Sequence, residues 1–229
     1  MKNQASNVSD PKLISYLTLR RAVGILGVAF PIVLVTGSIL IGNCDEVQSS
    51  ISAYYHTMMR NIFVGLLCAI ALFLYAYKGY NKADSIAGNL GCIFALGVAF
   101  FPTSITEPLS ACIPEPVENN IISTIHFASA AGLFLVLSFF SIVLFTKKGD
   151  NPTKMKIKRN MLFRICGYIM LASIGLIALY SGFSSNKRVA SFQEYDPIFW
   201  LETLALWAFG LSWLVKGRTI MTDYSSKKD

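Results

Sequence analysis

Six apolar stretches, each about 17 to 25 residues long and separated by short polar segments, dominate this chain. They are Ala22–Gly42, Arg60–Tyr77, Ser85–Pro102, Ile121–Phe145, Met161–Phe183 and Pro197–Lys216. A helix needs about that many residues to cross roughly 30 Å of hydrocarbon. None of the six alternates in polarity over about ten residues, as the strands of a membrane barrel do. The expected fold is therefore all-α, a polytopic membrane protein with six transmembrane helices. Composition agrees: charged residues make up 14% of the chain and hydrophobic ones 54%, whereas a soluble domain carries about a quarter charged residues.

The ends of the runs carry helix punctuation. Asp196-Pro197 reads as an N-cap followed by proline at the first helical position, and Asn119-Asn120 as a cap before Ile121. Pro31, inside the first run, predicts a kink or local widening. Met1–Leu19 is polar and the first run lacks a cleavage site, so that run is expected to stay as an anchor. Gly88, Gly91, Ala128 and Gly132 read as close helix-packing points.

Basic residues resist translocation and so report orientation. Seventeen of the 20 Lys and Arg fall on one side of the expected topology: Lys2, Lys12, Arg20 and Arg21, then Lys78 and Lys82, six in the loop Lys147–Arg159, Arg164, and Lys216, Arg218, Lys227 and Lys228. Arg60, Lys187 and Arg188 fall on the other. Both termini are thus expected in the cytoplasm of a cell with a multi-pass inner membrane. Residues 1–21 form a cytoplasmic N-terminal segment, 22–217 the six-helix domain and 218–229 a cytoplasmic tail. The net charge of +7 is read as membrane orientation and contact of the basic loop with anionic headgroups, not nucleic-acid binding. Membrane lipids are the expected partners.

The acidic residues Asp45, Glu46, Glu107, Glu115, Glu118, Glu194, Asp196 and Glu202 gather on the opposite, outer side. Cys44 and Cys112 lie in two loops of that side. They pair as a disulfide if those loops approach one another, a distance the sequence leaves open. Cys68, Cys92 and Cys166 read as small apolar residues within spans.

Ionisable groups in a bilayer are costly and so ask for a reason. His126 and Glu202 each lie five residues into spans that enter from the outer side, about 7.5 Å below the helix start. His56 and Arg60 sit near that level at the top of the second span. If the second helix begins within the preceding loop, Ser52, His56 and Arg60 share one of its faces. Two imidazoles and a carboxylate with one position left for water form the ligand set of a catalytic zinc site. On that reading His56, His126 and Glu202 hold zinc, and Arg60 or Ser52 stabilises an oxyanion. Tyr54, Tyr55, Asn61 and Trp200 line the approach. A plainer reading makes Arg60–Glu202 a buried pair, with each histidine bonded to a neighbour.

The segments Ser52-Ala53-Tyr54-Tyr55-His56-Thr57, Arg60-Asn61-Ile62-Phe63-Val64-Gly65 and Phe199-Trp200-Leu201-Glu202 through Trp207 to Gly217 resemble a group of small six-span bacterial membrane proteins of unassigned function. That resemblance implies six spans and an inner membrane, and no reaction. Ser52 four residues before His56 is also similar to the motif of the intramembrane hydrolases that include alkaline ceramidases and adiponectin receptors. What this implies is zinc-dependent hydrolysis of a lipid amide, with His56 as ligand and Ser52 near the metal. Those proteins have seven spans and a later His-x-x-x-His pair, where this chain has Ala130 four residues after His126. The expected function is a metal-dependent lipid hydrolase with an outward-facing polar site. The alternatives are a non-enzymatic binder or transporter of an anionic lipid or small solute, and a structural membrane protein.

Overall fold

The computed structural model describes residues 11–42, 44–77, 81–105, 112–113, 116–147, 153–183 and 195–221. Among these residues the chain forms six α-helices: α1 Pro11–Ile41, α2 Arg60–Ala76, α3 Lys82–Phe100, α4 Asn120–Phe139, α5 Lys154–Gly182 and α6 Pro197–Lys216. A 3-10 turn, Ser52–His56, precedes α2, and a π turn, Phe140–Leu144, continues α4. Of the acidic, basic and cysteine residues named above, Lys2, Lys78, Glu107, Glu115, Lys148, Lys187, Arg188, Glu194, Lys227 and Lys228 lie outside the described residues.

Five of the helices are long and apolar enough to cross a membrane, and α2, with 17 residues, is shorter. Their outward faces carry large apolar side chains such as Leu40, Leu72, Ile93, Ile121 and Met161, all strongly exposed. In water such a surface would be a large apolar patch; against lipid it is the expected one. The all-α architecture is thus present, with five helices suited in length and apolarity to cross a membrane.

Two helices are longer than the apolar runs. The first starts at Pro11, well before Ala22, and the fifth at Lys154, before Met161. The basic stretch Lys154–Arg159, expected as loop, forms the opening turns of α5, capped by the Thr153 side chain on Lys156 N at 3.1 Å. The first helix continues through Pro31 without a break. Next to that proline, Trp207 Nε1 donates to Val28 O at 3.2 Å. Asn119 caps α4 as expected, accepting from Ile122 N at 3.1 Å. Asp196 does precede α6, but in a left-handed conformation with no side-chain cap bond.

The six helices form a ring in chain order. Each packs on its sequence neighbours, and α6 returns to pack on α1. Arg21 Nε donates to Gly217 O at 3.0 Å, so the start of α1 and the end of α6 share one end of the bundle, called here the terminal end. The α1–α6 contact depends on two facing glycines. A Cβ on Gly24 would stand 2.9 Å from Gly210 O, and one on Gly210 would stand 2.8 Å from Gly24 O. Gly88 is equally tight, with Leu74 O 2.6 Å from where its Cβ would be, and Gly91 and Gly132 also face neighbouring helices. Ala128 does not: it is exposed, and the neighbouring Ser129 instead meets Gly97.

Candidate functional site

The loop between α1 and α2 folds over the end of the bundle opposite the termini and forms a cap. Its internal bonds run through Tyr54, whose buried hydroxyl accepts from Gln48 N at 3.3 Å. Burial lifts the Tyr54 phenol above its usual pKa. Thr57 is extended and breaks the helical path, its hydroxyl donating to Tyr54 O at 2.9 Å and accepting from Met59 N at 3.1 Å. The shared helix face of Ser52, His56 and Arg60, expected if α2 began within the loop, is broken at Thr57.

Ser52 points inward and meets both residues that the depth argument placed together. Its hydroxyl lies 3.0 Å from His126 Nε2 and 3.3 Å from Glu202 Oε1. The other carboxylate oxygen of Glu202 accepts from Ile51 N at 2.5 Å. His126 is 1% exposed, and its Nδ1 lies 2.7 Å from Phe101 O. Phe101 precedes Pro102, which forces it out of the helix (φ −110, ψ 101) and leaves its carbonyl without a helical partner. The histidine takes up that carbonyl.

Counting hydrogens decides what state this chain of groups holds. A carbonyl only accepts, so Nδ1 of His126 carries a hydrogen. Ser52 has one hydrogen and two neighbours. If it donates to His126 Nε2, Glu202 must be protonated to donate to Ser52. If it donates to Glu202, His126 must be an imidazolium. Both arrangements contain the same number of protons, one more than a carboxylate with a neutral imidazole. With that proton both contacts are hydrogen bonds; without it one becomes a clash of two acceptors.

His56 holds the α3–α4 connection from the other side, with Nε2 donating to Thr103 O at 2.7 Å. Burial, opposed by that bond and aided by nearby Arg60, keeps its pKa below 6.5. A Cys44–Cys112 disulfide, with Cα atoms 5.5 Å apart, ties the cap to the same connection. The pairing that the sequence left open is present.

Arg60 stays outside this group. It is exposed, donates to Tyr55 Oη at 2.7 Å and lies 4.5 Å from the centre of that ring. Glu202 is bonded to Ile51 and Ser52, and Arg60 to Tyr55, so the Arg60–Glu202 pair is not formed. Asn61 is exposed, and Trp200 is 59% exposed with its edge on Phe199.

The expected zinc ligands do not fit a metal in this arrangement. Both His126 nitrogens are engaged, His56 Nε2 is on a backbone carbonyl, and Ser52 lies between His126 and Glu202. Among the described residues no three His, Cys, Asp or Glu side chains are grouped to hold an ion. Ser52 and Glu202 instead border a cavity of about 50 Å³ within the ring, whose walls are otherwise apolar and include Phe30, Phe63, Leu133 and Phe134. That is room for a few water molecules.

The functional groups that side-chain reading missed are the Phe101 and Thr103 carbonyls and the Ile51 amide. Only Phe101 had a signal, the following proline. Comparison with family models, with curated proteins and with solved structures finds no match, so the geometry above carries the functional reading.

Proposed function

We propose that this chain is a proton-gated carrier for a small solute in a bacterial inner membrane, with six spans and both termini in the cytoplasm. Support for that orientation comes from the basic residues Arg20, Arg21, Lys147, Lys156 and Arg159 at the terminal end, and from a disulfide at the other, which needs an oxidising compartment. The observation that carries the gating is the Ser52 hydroxyl between His126 and Glu202, with Ser52 and Glu202 both lining the cavity.

With its shared proton the network pins the cap to α4 and α6. Loss of that proton leaves His126 and Glu202 competing for one Ser52 hydrogen, so the cap releases one helix and the cavity opens outward. Such a device is a two-state element biased by proton binding. Glu202→Gln supplies a permanent donor of the same shape, so it should hold the cap closed at every pH.

Hydrogen exchange of residues 51–59 in nanodiscs tests this, with rates corrected for intrinsic pH dependence. Protection should fall in the wild type as pH rises and stay high in Glu202→Gln. Equal, pH-independent protection in both would refute the gate. The carrier reading further requires that proteoliposomes show a pH-dependent permeability to small solutes, read as swelling after an osmotic step, that Glu202→Gln abolishes.

A second reading rests on the same 3.0 Å contact. A serine hydroxyl on an imidazole whose other nitrogen is fixed by a carbonyl is a nucleophile–base arrangement, the pairing that acyl transfer uses. Labelling of Ser52 by a fluorophosphonate probe would favour a lipid hydrolase over a carrier; no labelling in the folded protein eliminates it.

A further inference from the structure

The wall of the interior cavity determines which solute it takes. Ser52 and Glu202 are its polar residues, and the rest of the lining is apolar, including the phenyl rings of Phe30, Phe63 and Phe134. Phe30 and Phe63 meet edge to face, with ring centres 5.6 Å apart. Among the described residues no Lys, Arg or His borders the cavity, and none of its lining comes from α5. The lining residues of α1, α2 and α3 carry no charge. From α4, His126 faces Glu202 across Ser52. On the cap side His56 stands near enough to His126, and Arg60 to His56, for their charges to interact.

The hydrogens at Ser52 fix the charge that this wall presents. With its extra proton the Ser52–His126–Glu202 network is neutral overall, whichever member holds it. Without that proton it carries one negative charge, and one of its two contacts lacks a hydrogen. Few solutes suit both states. An anion finds no spare hydrogen in the first and a like charge in the second. Hard metal cations take about six oxygen ligands, whereas the side-chain oxygens here come from Ser52 and Glu202 alone. An ammonium ion meets both needs of the second state. With Ser52 donating to His126, two of its N–H groups can donate to Ser52 Oγ and Glu202 Oε1, and its charge offsets the carboxylate. Phenyl rings attract a cation of this kind.

We propose, resting on the carrier reading, that the solute is a small primary ammonium ion of about the size of methylammonium, and that it takes the place of the shared proton. On binding, the proton leaves the network for water, the N–H groups of the ion supply the missing hydrogens, and network and ion together are again neutral. The cap is then held as it is in the protonated state. A cavity of about 50 Å³ suits an ion with one or two carbons and excludes sugars and most amino acids.

The full chain in a neutral detergent is titrated calorimetrically with methylammonium chloride at several pH values. Two buffers of different ionisation enthalpy count the protons released. At the acid end about one proton should leave per ion bound, and affinity should rise up to about tenfold per pH unit until release stops. Sodium, and tetramethylammonium with the same charge and no N–H, should bind about tenfold more weakly or less. At alkaline pH methylammonium should restore the hydrogen-exchange protection of residues 51–59, and tetramethylammonium should not. Glu202→Gln, which offers no charge, should weaken binding about tenfold or more, and Phe134→Leu several-fold. Should either variant fail to fold, the series of ions on the wild type still decides. Binding without proton release, or equal binding of sodium or tetramethylammonium, overturns the site. Absence of methylammonium binding overturns it as well, and the protection of residues 51–59 then separates the two readings: pH-dependent protection retained leaves the gate standing with another solute, and its absence removes the gate too.

Discussion

Replacing Ser52 by alanine removes one oxygen and leaves two buried groups, His126 Nε2 and Glu202 Oε1, without their shared partner. An unmet buried polar atom costs about 1 to 3 kcal/mol, and cavity water relieves part of this for Glu202, so the loss should be about 2 to 4 kcal/mol. Glu202→Gln should be close to neutral by contrast, because its amide nitrogen donates to Ser52 while its oxygen still accepts from Ile51 N. The two residues share one network, so Ser52→Ala with Glu202→Gln should cost less than the separate changes added together. Unfolding in mixed detergent and SDS, followed by the fluorescence of the chain's 3 tryptophans, measures all four species. A Ser52→Ala variant within about 0.5 kcal/mol of the wild type, the range of an ordinary surface change, would refute the reasoning. So would a Glu202→Gln variant as damaged as Ser52→Ala, since that would mean an ionised carboxylate is needed there.

Stability should peak at an intermediate pH. His56 is held below its usual 6.5, so the unfolded chain binds more protons just under that value and stability falls with acidification; His56→Gln, which can still donate to Thr103 O, should flatten this limb. The proton retained by the Ser52 network has the opposite sign, and Glu202→Gln should flatten the alkaline limb, as unfolding measured across pH will show. Reducing the Cys44–Cys112 bond, which spans 68 residues, should lower stability by about 4 kcal/mol on chain-entropy grounds, read as a shift in the unfolding midpoint with and without reductant. Gly210→Leu should cost about 1 to 3 kcal/mol by forcing α6 off α1, whereas Gly65→Leu, with open space around the position, should cost less in the same assay. Asp84→Ala removes the carboxylate that accepts from Asn81 N in a capping box and also the Lys147 bond, so it should lower stability by about 1 to 2 kcal/mol, more than Lys147→Ala, whose side chain is 40% exposed.

Hydropathy places every helix, because each buries its backbone in an apolar run whose length is set by the membrane. It misplaces the starts of α1 and α5, where Arg20 and Lys156 belong to helix although their charge lowers any local average. Arg20 shows why: its charge lies against the Tyr16 and Tyr77 rings, a neighbourhood that only the closed ring creates. The depth argument for His126 and Glu202 succeeds since rise per residue is fixed and both helices start at the same end. It fails for Arg60, because the extended Thr57 turns the chain before α2 begins. The zinc reading treats histidines as free ligands, but a backbone carbonyl released at Phe101 and another at Thr103 compete for the same nitrogens. Partners of that kind carry no residue-type signature.

The closure of α6 on α1 also bears on how the molecule is made. During synthesis α1 emerges before α6, and the glycine face that receives α6 waits until the four intervening helices have been exported from the ribosome. Ser52 likewise waits for Glu202, whereas Cys112 reaches Cys44 much earlier in the order of translation. The nascent protein therefore passes through a stage in which the loop is covalently tethered while its lock is still unmade. Contacts between segments far apart in sequence are slow to find. An insertase or chaperone that shields α1 meanwhile would act on this protein more than on one whose helices pair in order of appearance.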